Sequence, residues 1–538
     1  MTEALLKTRI FHKWVAAWAV LLLVSLASTG ANAQVTAFKQ AVAEAAARDK
    51  AVAQFYKSRN YQALWTDKGS KPKQRRRAFL QALSKAADHG LPVKRYDPAA
   101  LKAQLKAAHS PRDRGHLEVK MSKMFLQYAG DIRSGVLIPS RIDSGIVRKV
   151  GRWEREQTLH SFAKSSPRGF FKMLLPKTPE YTRLMKEKLR LEKRLAKGGF
   201  GPKVKAASLK PGASGAHVVA LRNRLVAMGY LRRSAAGVYD AKMKRAVQLF
   251  QLDHGLPTDG VAGKGTMAEI NKSAQYRLQS VVVAMERERW FNQKRGKRHV
   301  LINLTDFTAK IVDNGKVTFQ TRTVVGKNAS DHRSPEFSDM MEFMIINPTW
   351  NVPRSIAVKE YLPMLKRNGN AVGHLRLVDA RGRTVNRGAV DFSQYNSKNF
   401  PFNLKQAPSG RNALGLVKFM FPNRYNIYLH DTPSKSLFNR DVRAFSHGCI
   451  RVQQPFDLAY ALLAKQVKNP EEFFKAKLRT GRETRVDLKN PVPVHLMYRT
   501  AISKPKGGMQ YRRDVYGRDA KIFRALVNAG VELRSVKG

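Results

Sequence analysis

The spacing of apolar residues changes near Val281, and this change limits the folds available to the chain. Before it, apolar residues recur at the three- to four-residue intervals of amphipathic helices. Clear examples are 38–53, 77–87 and 116–128. After it, short alternating runs stand between turn residues, a pattern typical of strands. The sequence therefore predicts a multidomain α+β protein with a helical part followed by a mainly β part.

The number of domains follows from the length. A chain of 538 residues is too long for one hydrophobic core, so about two to four domains are expected. Residues 199–215 are rich in Gly, Pro, Lys and Ser and are interpreted as a linker. The predicted parts are an export signal (1–33), a helical region (37–200), a three-helix unit (208–272), a β domain (281–520) and a C-terminal tail (521–538). Within the β domain, 354–408 is expected to be an insertion that acts as a lid.

The first 33 residues have the pattern of a secretory signal. Three cations, Lys7, Arg9 and Lys13, precede the apolar run 14–27, and Ala-Asn-Ala at 31–33 fits a cleavage site. The alternative is an uncleaved membrane anchor. Because a membrane span needs about 20 apolar residues, the short run favours cleavage. The sequence therefore predicts an exported protein.

The chain is strongly basic, with a formal net charge of +59. Such an excess of positive charge implies attraction to polyanions, of which nucleic acid is the usual one. Export argues against nucleic acid. The expected partners are instead anionic envelope polymers, carboxylate-rich cell wall or a membrane surface. The alternative is a solvated basic surface with no specific ligand, and the sequence leaves the oligomeric state open.

The chain contains one cysteine, Cys449. After export a single cysteine cannot form an internal disulfide, so its thiol is either buried or kept for chemistry. It ends the segment Ser-His-Gly-Cys at 446–449, and a second histidine, His430, stands beside a carboxylate upstream. A cysteine and a histidine in such an arrangement are candidates for a nucleophile and its base. A lone cysteine is more often an inert core residue, but the surrounding segment favours a catalytic thiol.

This pairing of His430 with 446–449 resembles the catalytic signature of the L,D-transpeptidases, which have a YkuD-type domain. The resemblance extends over 281–519. Further matching segments are 350–353, 412–415, 418–419, 421–423 and 427–433. The helical region, which includes Trp65, is similar to the scaffold domain of the large periplasmic subgroup. Ser409 stands where that family more usually has proline. The resemblance implies a periplasmic enzyme associated with the cell wall.

The three-helix unit carries a resemblance of its own. It is similar to the peptidoglycan-binding domain 1 family over the whole segment. The matching positions are Gly215, Val218, Leu221, Leu225, Gly229-Tyr230, Tyr239-Asp240, Ala246-Val247, Phe250-Gln251, Gly255-Leu256, Asp259-Gly260-Val261 and Gly263. Peptidoglycan is therefore the expected partner of this unit. The alternative is a three-helix spacer that binds no ligand, since apolar stripes of this kind also form plain cores.

The resemblance to L,D-transpeptidases implies a role for each residue of the signature. Cys449 is the expected nucleophile and His430 the general base. Either the backbone near Asp431 or its carboxylate is expected to orient the His430 ring. His447 is expected to polarise or position the thiol, and Gly448 with Cys449 to supply N–H donors to an oxyanion. The alternatives are a turn residue for Asp431 and a structural histidine for His447.

Four further residues are expected to bind substrate. They are Arg451, Ser446, Tyr428 and Trp350. A guanidinium suits bidentate binding of a carboxylate, which is the role expected of Arg451. A structural salt bridge is the alternative for this arginine.

The reaction implied by the resemblance is a two-step acyl transfer in peptidoglycan. The thiolate attacks the carbonyl at the L-centre of the third residue of a tetrapeptide stem and expels the terminal D-alanine. An amine from a neighbouring stem then attacks the thioester, and a 3-3 cross-link results. No metal or diffusible cofactor is required, and a carbapenem is expected to acylate the same cysteine.

Three other functions stay open on the sequence. The same site could transfer the stem to a protein amine, to a free D-amino acid or to water. A basic wall-binding scaffold without catalysis is the non-enzymatic alternative, and the joint presence of Cys449, His430 and His447 argues against it. A zinc D-peptidase is the third, but the sequence shows no strong metal-ligand spacing.

Overall fold

A computed structural model describes residues 37–291 and 294–533. The predicted export signal at 1–33 lies outside the described residues. Among the helices that the structure describes, none combines the length and the apolar character that crossing a bilayer requires.

The first part of the chain is a helical domain, as predicted. Its helices span 37–46, Lys50–Lys57, Ser70–Ser84, Pro98–Ala107, Pro111–Ser134, Pro139–Ile142, Arg155–Lys164, Pro167–Leu174 and Pro179–Ala196. The longest, Pro111–Ser134, begins at a capping box in which Ser110 and Asp113 bond each other's backbone. Stacked aromatic rings form the centre of the core, with the Trp65 and Phe162 ring centroids 5.1 Å apart.

The three-helix unit has the helices that its apolar stripes predict. They span Ala216–Met228, Ala241–His254 and Lys264–Ile270. The first two end at Gly229 and Gly255, where the sequence pattern ends the helices. Their apolar faces meet in one small core around Leu221, Val247 and Phe250. A buried arginine, Arg224, ties the unit together by donating to the carbonyl of Ile270.

The β pattern expected from Val281 begins only at Arg298. Between them the chain forms a helix, Ala274–Trp290, which is buried along almost its whole length. Its run of three valines at 281–283 resembles a strand in sequence, because a helix buried on all sides shows no polar face to reveal its period. This helix packs between Pro179–Ala196 and the C-terminal helix and forms the hub between the domains.

The β domain is built on one large sheet and two small ones. The strands, in chain order, are β1 (Arg298–Asn303), β2 (Thr308–Asp313), β3 (Lys316–Gly326), β4 (Ser338–Ile346), β5 (Trp350–Asn351), β6 (Arg376–Val378), β7 (Asn403–Gln406), β8 (Val417–Met420), β9 (Leu429–His430), β10 (Ala444–Ser446), β11 (Ile450–Val452), β12 (Thr484–Met497), β13 (Ala501–Ser503) and β14 (Met509–Tyr511). In the large sheet the order is β10-β3-β11-β9-β8-β4-β12-β1-β2. An additional pairing of β2 with β3 closes all of these strands except β10 into a ring, and β10 pairs with β3 outside it.

The side chains inside this ring form the main core of the β domain. Strand residues such as Val300, Ile302 and Phe419 alternate toward it and are fully buried. Two helices, Pro455–Leu463 and Pro470–Arg479, cover the sheet. The result is a rigid frame in which β8, β9 and β11 lie side by side.

The insertion at 354–408 is a small subdomain with a core of its own. A continuous helical segment runs through Arg354–Ile356, a π-helical turn at Ala357–Tyr361 and Leu362–Arg367. Strands β5, β7 and β6 form its three-stranded sheet. Trp350, Leu362 and Leu404 pack together in the core. The insertion is therefore a folded element, although its sequence beyond the helix looks irregular.

The prediction of a C-terminal tail at 521–538 is wrong for residues 521–533, which the structure describes. A helix, Arg518–Asn528, occupies its first part and buries Ile522 and Leu526 against Ala274–Trp290. The i, i+4 spacing of these two residues is a helical stripe, but it is too short to stand out beside a basic C-terminus.

The scaffold-like helical domain is docked firmly on the β domain. Ile146 forms a parallel bridge with Glu336, and the Val147 N–H donates to the Glu336 carbonyl at 2.8 Å. The buried Glu336 carboxylate pairs with Arg287 and Arg518. The three-helix unit docks separately, on the β13–β14 hairpin, through ion pairs such as Asp253–Lys504 at 2.8 Å.

Candidate active site

The register of three strands brings five functional side chains to one surface. In β9, His430 pairs with Lys418 of β8 on one side and with Arg451 of β11 on the other. Because side chains alternate along a strand, Tyr428 and Cys449 lie on the same face as these three. All five line one cavity of about 710 Å³. The sheet therefore places the thiol and the imidazole in a common space.

The insertion forms the opposite wall of this cavity. It contributes Lys359, Glu360 and Tyr361, and the segment just before it contributes Trp350 and Val352. Trp350 is nearly buried, and its ring lies edge-on to that of Tyr361 with centroids 6.4 Å apart. A substrate in this cavity is therefore enclosed between the sheet and the insertion.

The Cys449 thiol is protonated at rest. The half-buried sulfur donates to the backbone carbonyl of Asn426 at 3.4 Å. Burial raises the pKa of the thiol to about 11, against the smaller opposing effects of Tyr428 and Arg451. The positive charge of Arg451 lowers the pKa of the thiol, as expected of a cationic neighbour, but the effect of burial is larger.

His430 is neutral at rest, and Nε2 is its acceptor nitrogen. Its Nδ1 donates to the backbone carbonyl of Asp431 at 2.5 Å. A carbonyl can only accept, so the proton of the neutral ring is on Nδ1 and Nε2 is the basic atom. Burial lowers the pKa of His430 to about 3, helped by the charge of Arg451. The ring is therefore a proton acceptor over the whole physiological range.

The Asp431 carboxylate bonds to backbone groups of the surrounding loops and not to the His430 ring. It accepts from the backbone N–H groups of Leu416 at 2.9 Å and Thr432 at 2.7 Å. It also pairs with Lys435 at 2.5 Å. Of the two orientations left open by the sequence, the backbone carbonyl is the one that contacts the imidazole.

Comparisons with known proteins divide the chain into three matched regions. Residues 297–518 match the family model of the L,D-transpeptidase catalytic domain, and Cys449 and His430 both lie within it. The chain carries an L,D-transpeptidase catalytic domain. Residues 214–270 match the model described as "Putative peptidoglycan binding domain", and 50–187 match a scaffold domain.

The comparisons also found one curated relative and two solved structures. A protein of Haemophilus influenzae named "Putative L,D-transpeptidase" is 31% identical over 231 residues. The match covers 43% of this chain and 46% of that protein, so the chain spans about half the length of this relative. An L,D-transpeptidase structure from Xylanimonas cellulosilytica is 15% identical with a TM-score of 0.16, and covers 55% of this chain and 98% of its own. One from Stackebrandtia nassauensis is 16% identical with a TM-score of 0.21, and covers 55% and 97%.

In the L,D-transpeptidase domain, the turn before Cys449 is held by its own side chains. The Ser446 hydroxyl donates to the Cys449 carbonyl at 2.6 Å and accepts from the Gly448 N–H at 3.1 Å. Two expectations are therefore corrected. Ser446 lines the cavity, but its hydroxyl forms hydrogen bonds within the turn and is not directed to substrate. The Gly448 N–H is occupied and is not an oxyanion donor here, whereas the Cys449 N–H has no acceptor among residues 37–291 and 294–533.

Gly448 is required for the shape of this turn. Its φ of +118° lies in the region that side chains disfavour, and a Cβ there would meet Ile427 Cδ1 at 3.1 Å. The predicted importance of Gly448 therefore has a conformational basis.

A buried hydrogen-bond network supports the turn from below, and the sequence analysis missed it. The Ser334 hydroxyl donates to the Gly448 carbonyl at 2.6 Å and accepts from the Gly326 N–H at 3.0 Å. Tyr516 donates to the Gly326 carbonyl at 2.6 Å, and Arg518 donates to the Ser334 carbonyl at 3.1 Å. These residues come from distant segments, so no local spacing in the sequence could have linked them to Cys449.

Replacing Ser334 with alanine tests this support. The change removes one buried hydrogen bond to each of two backbone groups, so we expect a loss of about 1–3 kcal/mol in the free energy of unfolding. We also expect alkylation of Cys449 by iodoacetamide to slow by up to about 100-fold, because a small displacement of the turn misplaces the sulfur. Thr323→Val is the matched control, since the Thr323 hydroxyl is buried and has no hydrogen-bond partner among the described residues. Equal alkylation rates in both variants would contradict this role.

The other residues that the sequence predicts also line the cavity. They are Tyr428, Arg451, His447 and Trp350. The Arg451 guanidinium forms no ion pair with any residue the structure describes, and its Nε is buried without a partner. The structural salt bridge considered for Arg451 is therefore absent from the described part of the chain.

Lys418 is a cavity residue that the sequence analysis did not select. Burial lowers the pKa of its half-buried ammonium, and Glu483 opposes this effect. Its ammonium forms no hydrogen bond and no ion pair with residues 37–291 and 294–533. Alternation along β8 assigns Lys418 to the face of His430, which is the one signal that could have identified it.

Proposed function

We propose that this protein is a cysteine L,D-transpeptidase that forms 3-3 cross-links in peptidoglycan through a thioester intermediate. The observation that carries the proposal is the composition of one cavity. It holds a thiol, a neutral imidazole and two cations without carboxylate partners among the described residues. Such a set suits acyl transfer from an anionic peptide.

In the first half-reaction, Cys449 attacks the carbonyl of the third stem residue. The resting thiol and imidazole are both neutral, so the sulfur must lose its proton as it attacks, and Nε2 of His430 takes that proton. The C–N bond to the terminal D-alanine then breaks, and the imidazolium returns the proton to the departing amine. A thioester on Cys449 remains.

Two groups stabilise the charges that develop during this attack, one the negative charge on the oxyanion and the other the positive charge on the imidazolium. The Cys449 N–H is available for the oxyanion, because the turn holds it without an acceptor among the described residues. The Asp431 carbonyl keeps the His430 ring in place and favours the imidazolium form that appears transiently.

The two cations account for recognition of the donor. Arg451 and Lys418 flank His430 across the strands, so two carboxylates of a stem peptide can be held on either side of the base. A partly desolvated cation gains more from a carboxylate than an exposed one does. The site therefore selects for peptides that carry free carboxylates.

In the second half-reaction an amine of a neighbouring stem attacks the thioester. His430 accepts the proton of the attacking amine. The Cys449 thiolate then leaves and takes this proton from the imidazolium. The new amide bond replaces the thioester, so no external energy source is needed. The insertion wall limits water access to the cavity and favours the amine over hydrolysis.

The remaining domains fit an enzyme that works on the cell wall. The three-helix unit is proposed to bind peptidoglycan, and the strong positive charge of the chain to add attraction to anionic envelope polymers. With the export signal predicted at 1–33, a periplasmic location follows.

The test measures D-alanine release and product masses with purified protein and disaccharide-tetrapeptides. We expect cross-linked dimers in which the new bond joins two third-position residues. For Arg451→Ala and Lys418→Ala we expect KM for the tetrapeptide to rise about 10- to 100-fold, because a charge-assisted bond contributes about 1.5–3 kcal/mol. Lys465→Ala, on an exposed lysine, is the control.

The same experiment separates the other acceptors. A product that carries a free D-amino acid would show that a D-amino acid is the acceptor, and a product joined to a protein amine would show that a protein is. A tripeptide alone would show hydrolysis by water. No D-alanine release at all would contradict a transpeptidase function.

A further inference from the structure

We propose that the mouth of the cavity contains a binding site for a zinc ion, formed by His332, Glu360 and His447. One ligand atom from each lies within 4.8 Å of the others. Two imidazoles and one carboxylate are a ligand set that zinc takes in proteins, with a fourth position left to water. The binding site itself is independent of the transfer reaction, whereas its effect on acylation, inferred below, rests on the proposed function.

The distances fit a zinc ion after a small adjustment. Nε2 of His447 lies 2.6 Å from Oε1 of Glu360, and Nε2 of His332 lies 3.7 Å from the same oxygen. Ligand bonds of about 2.0–2.1 Å in a tetrahedron separate the ligand atoms by roughly 3.3 Å. The 2.6 Å distance is a hydrogen bond that His447 donates to Glu360. When an ion replaces the shared proton, these two ligand atoms need to move apart by less than about 1 Å.

The second coordination shell for one of these ligands is already present. Nδ1 of His332 is bonded to Oδ1 of Asp331 at 2.5 Å, which leaves Nε2 to face Glu360 and His447. The other oxygen of Asp331 pairs with Lys359 at 2.9 Å, so the carboxylate is fixed from both sides. A carboxylate behind a ligating histidine fixes its tautomer and raises its affinity for the metal.

The three ligands come from three separate parts of the β domain. His332 follows β3, Glu360 lies in the π-helical turn of the insertion, and His447 belongs to the turn that carries Cys449. A metal at this point therefore ties the insertion to the catalytic turn. We infer that zinc inhibits acylation, because it holds the insertion against the cavity and withdraws His447 from the substrate.

The test is a titration of the metal-free full-length protein with zinc alone, followed by calorimetry. We expect one site in the wild type and in Cys449→Ser, which separates this site from coordination by the thiol. His332→Ala and Glu360→Gln should weaken binding more than about 100-fold, and Asp331→Asn about 10- to 100-fold. The control is His374→Ala, an exposed histidine of the same insertion, and it should bind as the wild type does.

Replacing zinc with cobalt adds a readout that does not depend on activity. A visible absorption band of a four-coordinate ion should appear in the wild type and be lost in His332→Ala. Circular dichroism checks that the variants fold. Wild-type affinity in both His332→Ala and Glu360→Gln, or loss of binding in Cys449→Ser, would overturn the site. Absence of zinc inhibition with intact binding would overturn the inhibitory role alone.

Discussion

Cys449→Ala is expected to abolish D-alanine release and cross-linking while the protein stays folded. The sulfur is the atom to which the acyl group is bound, so the loss in kcat should reach about 10⁴-fold or more. Its removal costs the fold little, because a half-buried thiol forms weak hydrogen bonds, such as the one to the Asn426 carbonyl. The measurement is D-alanine release from a tetrapeptide, together with the melting temperature.

Cys449→Ser is the matched control for this result. It keeps a side chain of similar shape at the same position but has a much weaker nucleophile. We expect it to fold and bind the tetrapeptide like the wild type and to release almost no D-alanine. Substantial turnover in Cys449→Ala would show that this thiol is not the nucleophile.

The second large effect is expected for His430→Asn. Asparagine keeps an N–H donor for the Asp431 carbonyl but lacks the basic second nitrogen. Loss of a general base lowers the rate about 10²- to 10⁴-fold, and we expect this loss in the acylation step. Stopped-flow acylation by a carbapenem measures it. His299→Asn is the control, since His299 is also buried with Nδ1 on a backbone carbonyl, at 3.0 Å from Gly296.

The pH dependence of the same rate gives a sharper test of His430. The pKa of His430 is about 3 and that of Cys449 about 11, so the neutral pair predominates between them. Wild-type acylation should therefore be nearly flat from about pH 5 to 9. In His430→Asn only the free thiolate can attack, so the residual rate should rise about tenfold per pH unit over this range. A wild-type rate that rises in the same way would contradict general-base catalysis by His430.

The sequence was sufficient for the parts of the site that are contiguous. Cys449 and Gly448 stand in one short segment, and His430 stands beside a strand of alternating pattern. The strands that carry them exist because β-branched and aromatic residues alternate there. The family resemblance gave these residues their roles, and the family models confirm the domain types.

The sequence was insufficient where function depends on pairing between strands or on burial. Lys418 looks like an ordinary surface lysine until β8 pairs with β9 and directs it toward the cavity. The raised pKa of Cys449 depends on burial, which a count of neighbouring cations does not reveal. Ser334, His332 and Glu360 lie far from the signature along the chain, and only the closed sheet and the insertion bring them to it.

Two errors in the predicted boundaries have a common physical cause. The helix Ala274–Trp290 and the helix Arg518–Asn528 pack on each other at the junction of the domains. A helix buried on several sides loses the polar face that reveals its period, and a short one offers too few turns to show it. The sequence pattern therefore places most of the first helix in the β domain and most of the second in the C-terminal tail.

The central claim is that the Cys449 sulfur becomes acylated with help from His430. Intact-mass spectrometry after brief mixing with a carbapenem measures this directly. We expect the wild type to gain the mass of one carbapenem, with the adduct on Cys449 after proteolysis. We expect Cys449→Ala to gain nothing and His430→Asn to gain the adduct far more slowly. An adduct on another residue, or equal labelling of the wild type and Cys449→Ala, would contradict the claim.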